Sequence, residues 1–285
     1  MRLVFLLVTF SCVQSHHVLF VHNLGTKSHL ITMKPLMEEL LERGNKVTSI
    51  IFDSVKISHE NYTEMVIPNA LDDLMKEGSK KLMEKGGTNK MNPYLWWWAI
   101  NMYKEKTGDM ALSLLRTEPV MKLIRERPKI DALVYLAPYN AFFAELFDCP
   151  MITFMPAGPI SFMMGGTGNV INHSVQPSLT SSFIEPMTFK ERIQNWIMIS
   201  VSQAFLGWQT NLMYSYQKKF FFDEFGIELS HPGDTQIKKQ ALYLGGSHPI
   251  THGAWQYNPS VIEVGPAPPT VLVLVRLEGD RKNIW

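Results

Sequence analysis

His29 follows the polar stretch Asn23-Leu24-Gly25-Thr26-Lys27-Ser28 and precedes an apolar-periodic segment. An imidazole titrates near neutral pH and can take a proton from an alcohol or a phenol, so a histidine held in such a loop is a candidate general base. On spacing alone, a loop or helix-cap histidine bonded to backbone is the better reading. His22 ends the apolar run before the loop and reads as a structural histidine. Gly165-Gly166-Thr167-Gly168-Asn169 invites comparison with a phosphate-binding loop, but no apolar strand runs directly into it and no Lys-Ser or Lys-Thr follows. It reads as a flexible loop. His248, Pro249 and His252 lack the spacing and companion ligands of a zinc site, so no metal is expected.

Positioning His29 requires a strand before it and a helix after it. Val18 to Val21 is a short apolar run, and the residues after it supply turn and capping types before the periodicity changes. Ile31, Leu36, Met37, Leu40 and Leu41 then mark an apolar face, while Lys34, Glu38, Glu39, Glu42 and Arg43 mark a polar one, and Gly44 is a natural stop. Val47 to Phe52 resumes as a second buried strand. Strand, helix and strand so close together predict a right-handed parallel crossover, whose ligands sit beyond the carboxyl ends of the strands. His29 falls at that edge. Dinucleotide-dependent redox chemistry would need Gly-x-Gly-x-x-Gly in this loop, and the loop does not have it.

Further strands are expected at Ala132 to Leu136, Met151 to Phe154 and Ala241 to Leu244, the first two preceded by Pro128 and Pro150. Asn69 to Glu84 and Tyr94 to Arg127 read as helix-rich, and Thr188 to Tyr216 as a helix broken near Gly207. Together these predict an α/β fold with a doubly wound, mostly parallel sheet. Pro156 to Ser182 is rich in Gly, Pro, Ser and Thr, and too long for a simple connector, so it is expected to line or cover a site.

Ser28-His29, the Leu-rich helix after it and Arg43-Gly44-Asn45-Lys46-Val47-Thr48 resemble the N-terminal half of animal membrane-bound UDP-glycosyltransferases. Met187-Thr188-Phe189-Lys190-Glu191-Arg192 resembles a helix start of that family. Ser247-His248 and Pro259 to Gly265 resemble the end of its N-terminal domain. The resemblance covers about residues 17 to 265 in one order. It implies a Rossmann-like domain forming one half of a two-domain GT-B architecture, with His29 as the base that takes the acceptor's proton. It also implies a UDP-sugar as co-substrate, with no tightly bound cofactor, and a small lipophilic acceptor. The family supplies an aspartate partner for its histidine at the end of the strand that begins here at Asp131. Counting along that strand brings the match to Leu136, which is not acidic. Asp131 opens the strand at its far end, and Glu145 and Asp148 lie on the next helix.

Trp96 and Trp97, with Tyr94, Trp98 and Tyr103, could wall a lipophilic acceptor pocket or simply pack a helix. Phe154 and Phe162, with Met155, Met163 and Met164, offer a soft lining of the same kind. As activity, the resemblance implies transfer of a hexosyl or glucuronosyl group from a UDP-sugar to such an acceptor. A donor domain would be needed for it. The alternative is a non-catalytic lumenal or secreted binder of hydrophobic small molecules, or a short isoform that regulates full-length transferases.

The 285 residues are 46% hydrophobic and 19% charged, enough for one large core, and a net charge of +1 gives no field for nucleic acid. Arg2, the apolar run Leu3 to Phe10 and Val13-Gln14-Ser15 read as a signal peptide over 1–15, which places the chain in the secretory pathway, in the endoplasmic reticulum lumen or secreted. Cys12 would leave with that signal, so Cys149 remains without an internal disulfide partner. Asn61-Tyr62-Thr63 and Asn172-His173-Ser174 fit the glycosylation acceptor pattern at Asn61 and Asn172. No segment reaches the roughly 20 apolar residues that span a bilayer. Residues 16–265 are expected to form the acceptor-binding domain. Pro266-Ala267-Pro268-Pro269 reads as a linker, and 266–285 as linker plus the truncated start of a donor domain.

Overall fold

A computed structural model describes residues 15–23, 25–69, 93–136, 138–156, 158, 160, 163–169, 172–178, 181, 183–248 and 255–265, with positions 76 and 80. The signal peptide apart from Ser15, the 266–285 segment, Phe162 and the side chains of Trp96 and Trp97 lie outside the described residues.

Among the described residues seven strands form one sheet: β1 (His17–His22), β2 (Lys46–Ile51), β3 (Tyr62–Val66), β4 (Ala132–Tyr135), β5 (Met151–Met155), β6 (Gln240–Gly245) and β7 (Val261–Glu263). Their order is β3-β2-β1-β4-β5-β6-β7, and every pairing is parallel. The chain winds outward from β1 in one direction, then returns to β4 and winds outward in the other. This is the doubly wound, Rossmann-like arrangement, with its topological switch between β1 and β4. The helices are α1 (Lys27–Glu42), α2 (Pro93–Ser113), α3 (Glu118–Glu126), α4 (Phe142–Leu146), α5 (Phe189–Phe225) and α6 (Pro232–Lys239).

Side chains alternate across a strand, so β1 feeds two cores. Val18 and Phe20 join Leu30, Met33, Met37 and Leu41 of α1 on one face. Leu19 and Val21 join Val120 and Ile124 of α3, Phe142 and Phe143 of α4, and Phe221 of α5 on the other. The expected α1 therefore forms, with buried positions three and four residues apart, and it tolerates Pro35 inside it.

Helix α5 departs from expectation. It runs unbroken through Gly207 and continues to Phe225, 37 residues or about 55 Å at 1.5 Å per residue. Thr188 starts it with a capping box: the Thr188 N–H donates to Glu191 Oε2 at 2.7 Å, and the Glu191 N–H donates back to Thr188 Oγ1. Gly226 stops it in the left-handed conformation, with φ of 64°. Near the start of α5, buried Asn195 receives the Ser178 N–H at 2.7 Å and donates to the carbonyls of His173 and Gln176, both at 2.8 Å. Asn195→Ala would remove these three hydrogen bonds to the loop backbone. We expect a loss of about 2–3 kcal/mol in urea unfolding, with faster amide exchange at Ser178. Unchanged exchange would disprove the tie.

Beyond β5 and β6 the chain is held tightly. The Gly246 N–H donates to the Met155 carbonyl at 2.8 Å, and a Cβ on Gly246 would stand 2.1 Å from the Pro156 oxygen. Gly246→Ala must push the two strand ends apart, at an expected cost of about 1–3 kcal/mol that a shift in the urea midpoint would report. Tyr243, fully buried, donates its hydroxyl hydrogen to the Gly158 carbonyl and accepts the Ile160 N–H, each at 3.0 Å. These bonds hold the start of the long loop after β5. Among the described residues no helix is long and apolar enough to cross a membrane.

Candidate functional site

The carboxyl end of β1 runs directly into α1, so the first turn of that helix stands over the switch point. Thr26 is the extended cap residue, and Lys27, Ser28 and His29 form the first turn, with the His29 N–H donating to the Thr26 carbonyl at 3.0 Å. A helix N-terminus disfavours a cation. His29 is half-buried, with Nδ1 turned inward and lacking a hydrogen-bond partner, and burial lowers its pKa from 6.5. Burial thus favours the neutral imidazole, and Nε2 is the ring nitrogen not shut inside.

His22 closes the floor beneath it. Only 1% exposed, it sits with its ring centroid 5.7 Å from that of His29 and 5.4 Å from that of Phe52. Neither of its ring nitrogens has a hydrogen bond of good geometry. Burial and the neighbouring His29 push its pKa down to about 3, with a small opposing effect from the backbone of Thr26. Gly25 lets the loop pass over both rings. Its φ is +148°, and a Cβ there would stand 2.8 Å from His22 Cε1, 3.1 Å from His22 Nε2 and 3.4 Å from His29 Nδ1. Asn69 Nδ2 donates to the Gly25 carbonyl at 3.2 Å and helps fix this loop.

Two further contacts frame the switch point. Asn140 Nδ2, beyond β4, donates to Asn23 Oδ1 at 2.8 Å, a buried bond between positions 117 residues apart. Lys27 Nζ lies 2.7 Å from Asp53 Oδ2 at the end of β2, and this hydrogen bond lowers the Asp53 pKa.

No carboxylate pairs with His29 among the described residues. Asp131 sits at the opposite end of the sheet, where its Oδ2 accepts the His17 N–H at 2.8 Å. Glu145 accepts the Ser230 N–H and hydroxyl, and Asp148 pairs with Lys239. Leu136 is buried with Met155, Met163, Met164, Tyr243 and Val261. Continuing the register Val21↔Tyr135 by one step sets His22 level with Leu136. No group of three potential metal ligands occurs among the described residues.

Of the other sequence-expected site residues, Trp96 and Trp97 lie on α2. Phe154 is 4% exposed and packs in the α1-side core with Phe20 and Met33. Asn61 precedes β3 and is half-buried, whereas Asn172 is exposed, its Oδ1 accepting the Ser174 N–H. Sequence reasoning set His22 aside and did not single out Asn23 or Asn140. The one available signal was a second histidine seven residues before the first, at the mouth of the same loop.

The fold is a doubly wound α/β domain with a histidine over its topological switch point, the edge at which sheets of this class hold their ligands. Comparison with known proteins narrows this. Residues 18–230 match the family described as "UDP-glucoronosyl and UDP-glucosyl transferase", and the chain belongs to that family. Among curated relatives it is 25% identical over 190 residues to UDP-glucuronosyltransferase 2B33 of Macaca mulatta, covering 60% of this chain and 35% of that protein. It is 28% identical over 191 residues to UDP-glucuronosyltransferase 2B15 of Homo sapiens, covering 60% and 34%. The chain spans about a third of the length of the curated relatives it matches. Among solved structures it resembles the calicheamicin glycosyltransferase CalG4, with TM-score 0.47 and 14% identity over 89% of this chain and 52% of that one.

Proposed function

We propose that residues 16–265 are the acceptor-binding domain of a UDP-glycosyltransferase, one half of a GT-B architecture, and that His29 is its base. The observation that carries this reading is a neutral, half-buried imidazole in the first turn of α1, at the switch point of a family member's sheet. In the reaction, His29 Nε2 takes the proton of an acceptor hydroxyl. The oxygen bonds to the anomeric carbon of the sugar as the bond from that carbon to the diphosphate breaks, and UDP leaves with the electron pair. The acceptor is a small lipophilic alcohol or phenol. Met155, Met163, Met164 and Leu136 pack as a buried, methionine-rich apolar cluster at the ends of β4 and β5, where such side chains can repack around a small molecule. The protein works in the secretory pathway, in the endoplasmic reticulum lumen or secreted, with glycans at Asn61 and Asn172. The 285 residues taken alone hold acceptor and not UDP-sugar.

Calorimetry of the chain with a lipophilic phenol and with a UDP-sugar tests this, with His29→Ala as a companion. Phenol binding without UDP-sugar binding is the expected result. UDP-sugar binding would overturn the assignment as an acceptor domain only. A second reading, a non-catalytic binder or a short regulator of full-length transferases, is favoured by the lack of a carboxylate partner for His29 among the described residues.

A further inference from the structure

Given His29 as the base, we infer that His22 is its positioning residue: the His22 ring accepts a hydrogen bond from His29 Nδ1–H, fixing the tautomer that leaves Nε2 free to take a proton. Three buried ring nitrogens, both of His22 and Nδ1 of His29, meet under the Gly25 backbone without a hydrogen bond of good geometry; the Thr26 carbonyl is the near acceptor for the N–H of His22, which leaves its other nitrogen to accept. Buried polar atoms are costly unless paired, and a phenylalanine in this apolar floor would carry no such cost. The rings need each other. With centroids 5.7 Å apart and planes tilted by 51°, the rings are near enough for a small shift to bring His29 Nδ1 within hydrogen-bond reach of a His22 nitrogen.

His22 is suited to accept rather than to take the proton. Burial, at 1% exposure, keeps it uncharged, and Phe52 on one side and the Gly25 backbone above restrain its ring. During transfer the acceptor's proton goes to His29 Nε2, and the resulting imidazolium keeps Nδ1–H directed at His22, which remains neutral. A carboxylate would also neutralise that cation. His22 supplies orientation alone.

Nitrogen NMR of the ¹⁵N-histidine-labelled 285-residue chain at alkaline pH reads the tautomer directly, with His29→Ala assigning the resonances. We expect His29 to be mainly Nδ1–H in the unmodified chain. In His22→Phe, which keeps a flat ring against Phe52, it should revert to the Nε2–H majority of free imidazole. In His22→Gln, whose carbonyl oxygen can accept, Nδ1–H should persist. An Nε2–H majority in the unmodified chain overturns the inference whether or not His22→Phe folds, and so does an unchanged tautomer in folded His22→Phe. Failure of the catalytic reading would look different: added 4-methylphenol, which keeps its proton at about pH 8 to 9, would leave the His29 resonances unmoved while the tautomer pattern stayed as described.

Discussion

Replacing His29 with alanine should lower sugar transfer by about 10²–10⁴-fold, in a form of the protein supplied with a donor-binding half, while acceptor affinity stays nearly constant. The imidazole contributes only when the acceptor hydroxyl loses its proton, so its removal acts on kcat and not on ground-state binding. Added imidazole should restore part of the lost rate. Equal losses in binding and turnover would instead make His29 a wall of the pocket. His29→Gln should behave like alanine, since an amide holds a hydrogen bond but cannot carry the proton.

Mild acid should destabilise this domain before most of its carboxylates titrate. His22 has a pKa of about 3 in the fold against 6.5 for an unperturbed histidine, so the unfolded chain binds its proton first as pH falls. Its stabilising contribution is complete above about pH 6.5 and is lost progressively down to about pH 3. The limiting slope is about 1.4 kcal/mol per pH unit, or about 4–5 kcal/mol in all. That is a large share of the roughly 5–15 kcal/mol that holds a typical domain together. His29 and His17, both lowered chiefly by burial, act in the same direction. Urea midpoints at about pH 7 and about pH 5 should therefore differ clearly, and His22→Phe should shrink the difference. Equal midpoints for the unmodified chain would mean that His22 is not buried neutral.

Much of this fold was legible in the sequence. β1, α1 and β2 were readable because an apolar run, a polar loop, a helical period and Gly44 follow one another without interruption. The prolines before β4 and β5 marked those strands as well. The two edge strands were not readable. β3 reads Tyr62-Thr63-Glu64-Met65-Val66 with no fully buried residue, and β7 is three residues long, so neither has the apolar run that betrays a central strand. The expected break at Gly207 failed because a glycine with nothing near its missing Cβ costs a long, capped helix little more than local propensity.

At the site, the position of His29 could be reasoned from the strand–helix junction, but its partner could not. Whether His22 faces His29 depends on a backbone turn at Gly25 with φ of +148°, and sequence spacing does not encode that turn. The Asn23–Asn140 bond spans 117 residues and has no local signature.

The order of the sheet also governs how the chain can be assembled. β1, the earliest in the chain of the described strands, is also an interior strand, flanked by β2 and by β4. One side of β1 can pair as soon as β2 follows. The other side waits for Ala132, and the His17 amide waits for Asp131, 114 residues later. During synthesis the β1-α1-β2-β3 unit therefore carries an open strand flank and an unfinished second core, a state that slows folding and favours pairing with other chains. The histidine pair, Gly25 and Phe52 lie within that early unit, but the Asn23–Asn140 bond that ties their loop to the rest of the sheet forms only when β4 arrives.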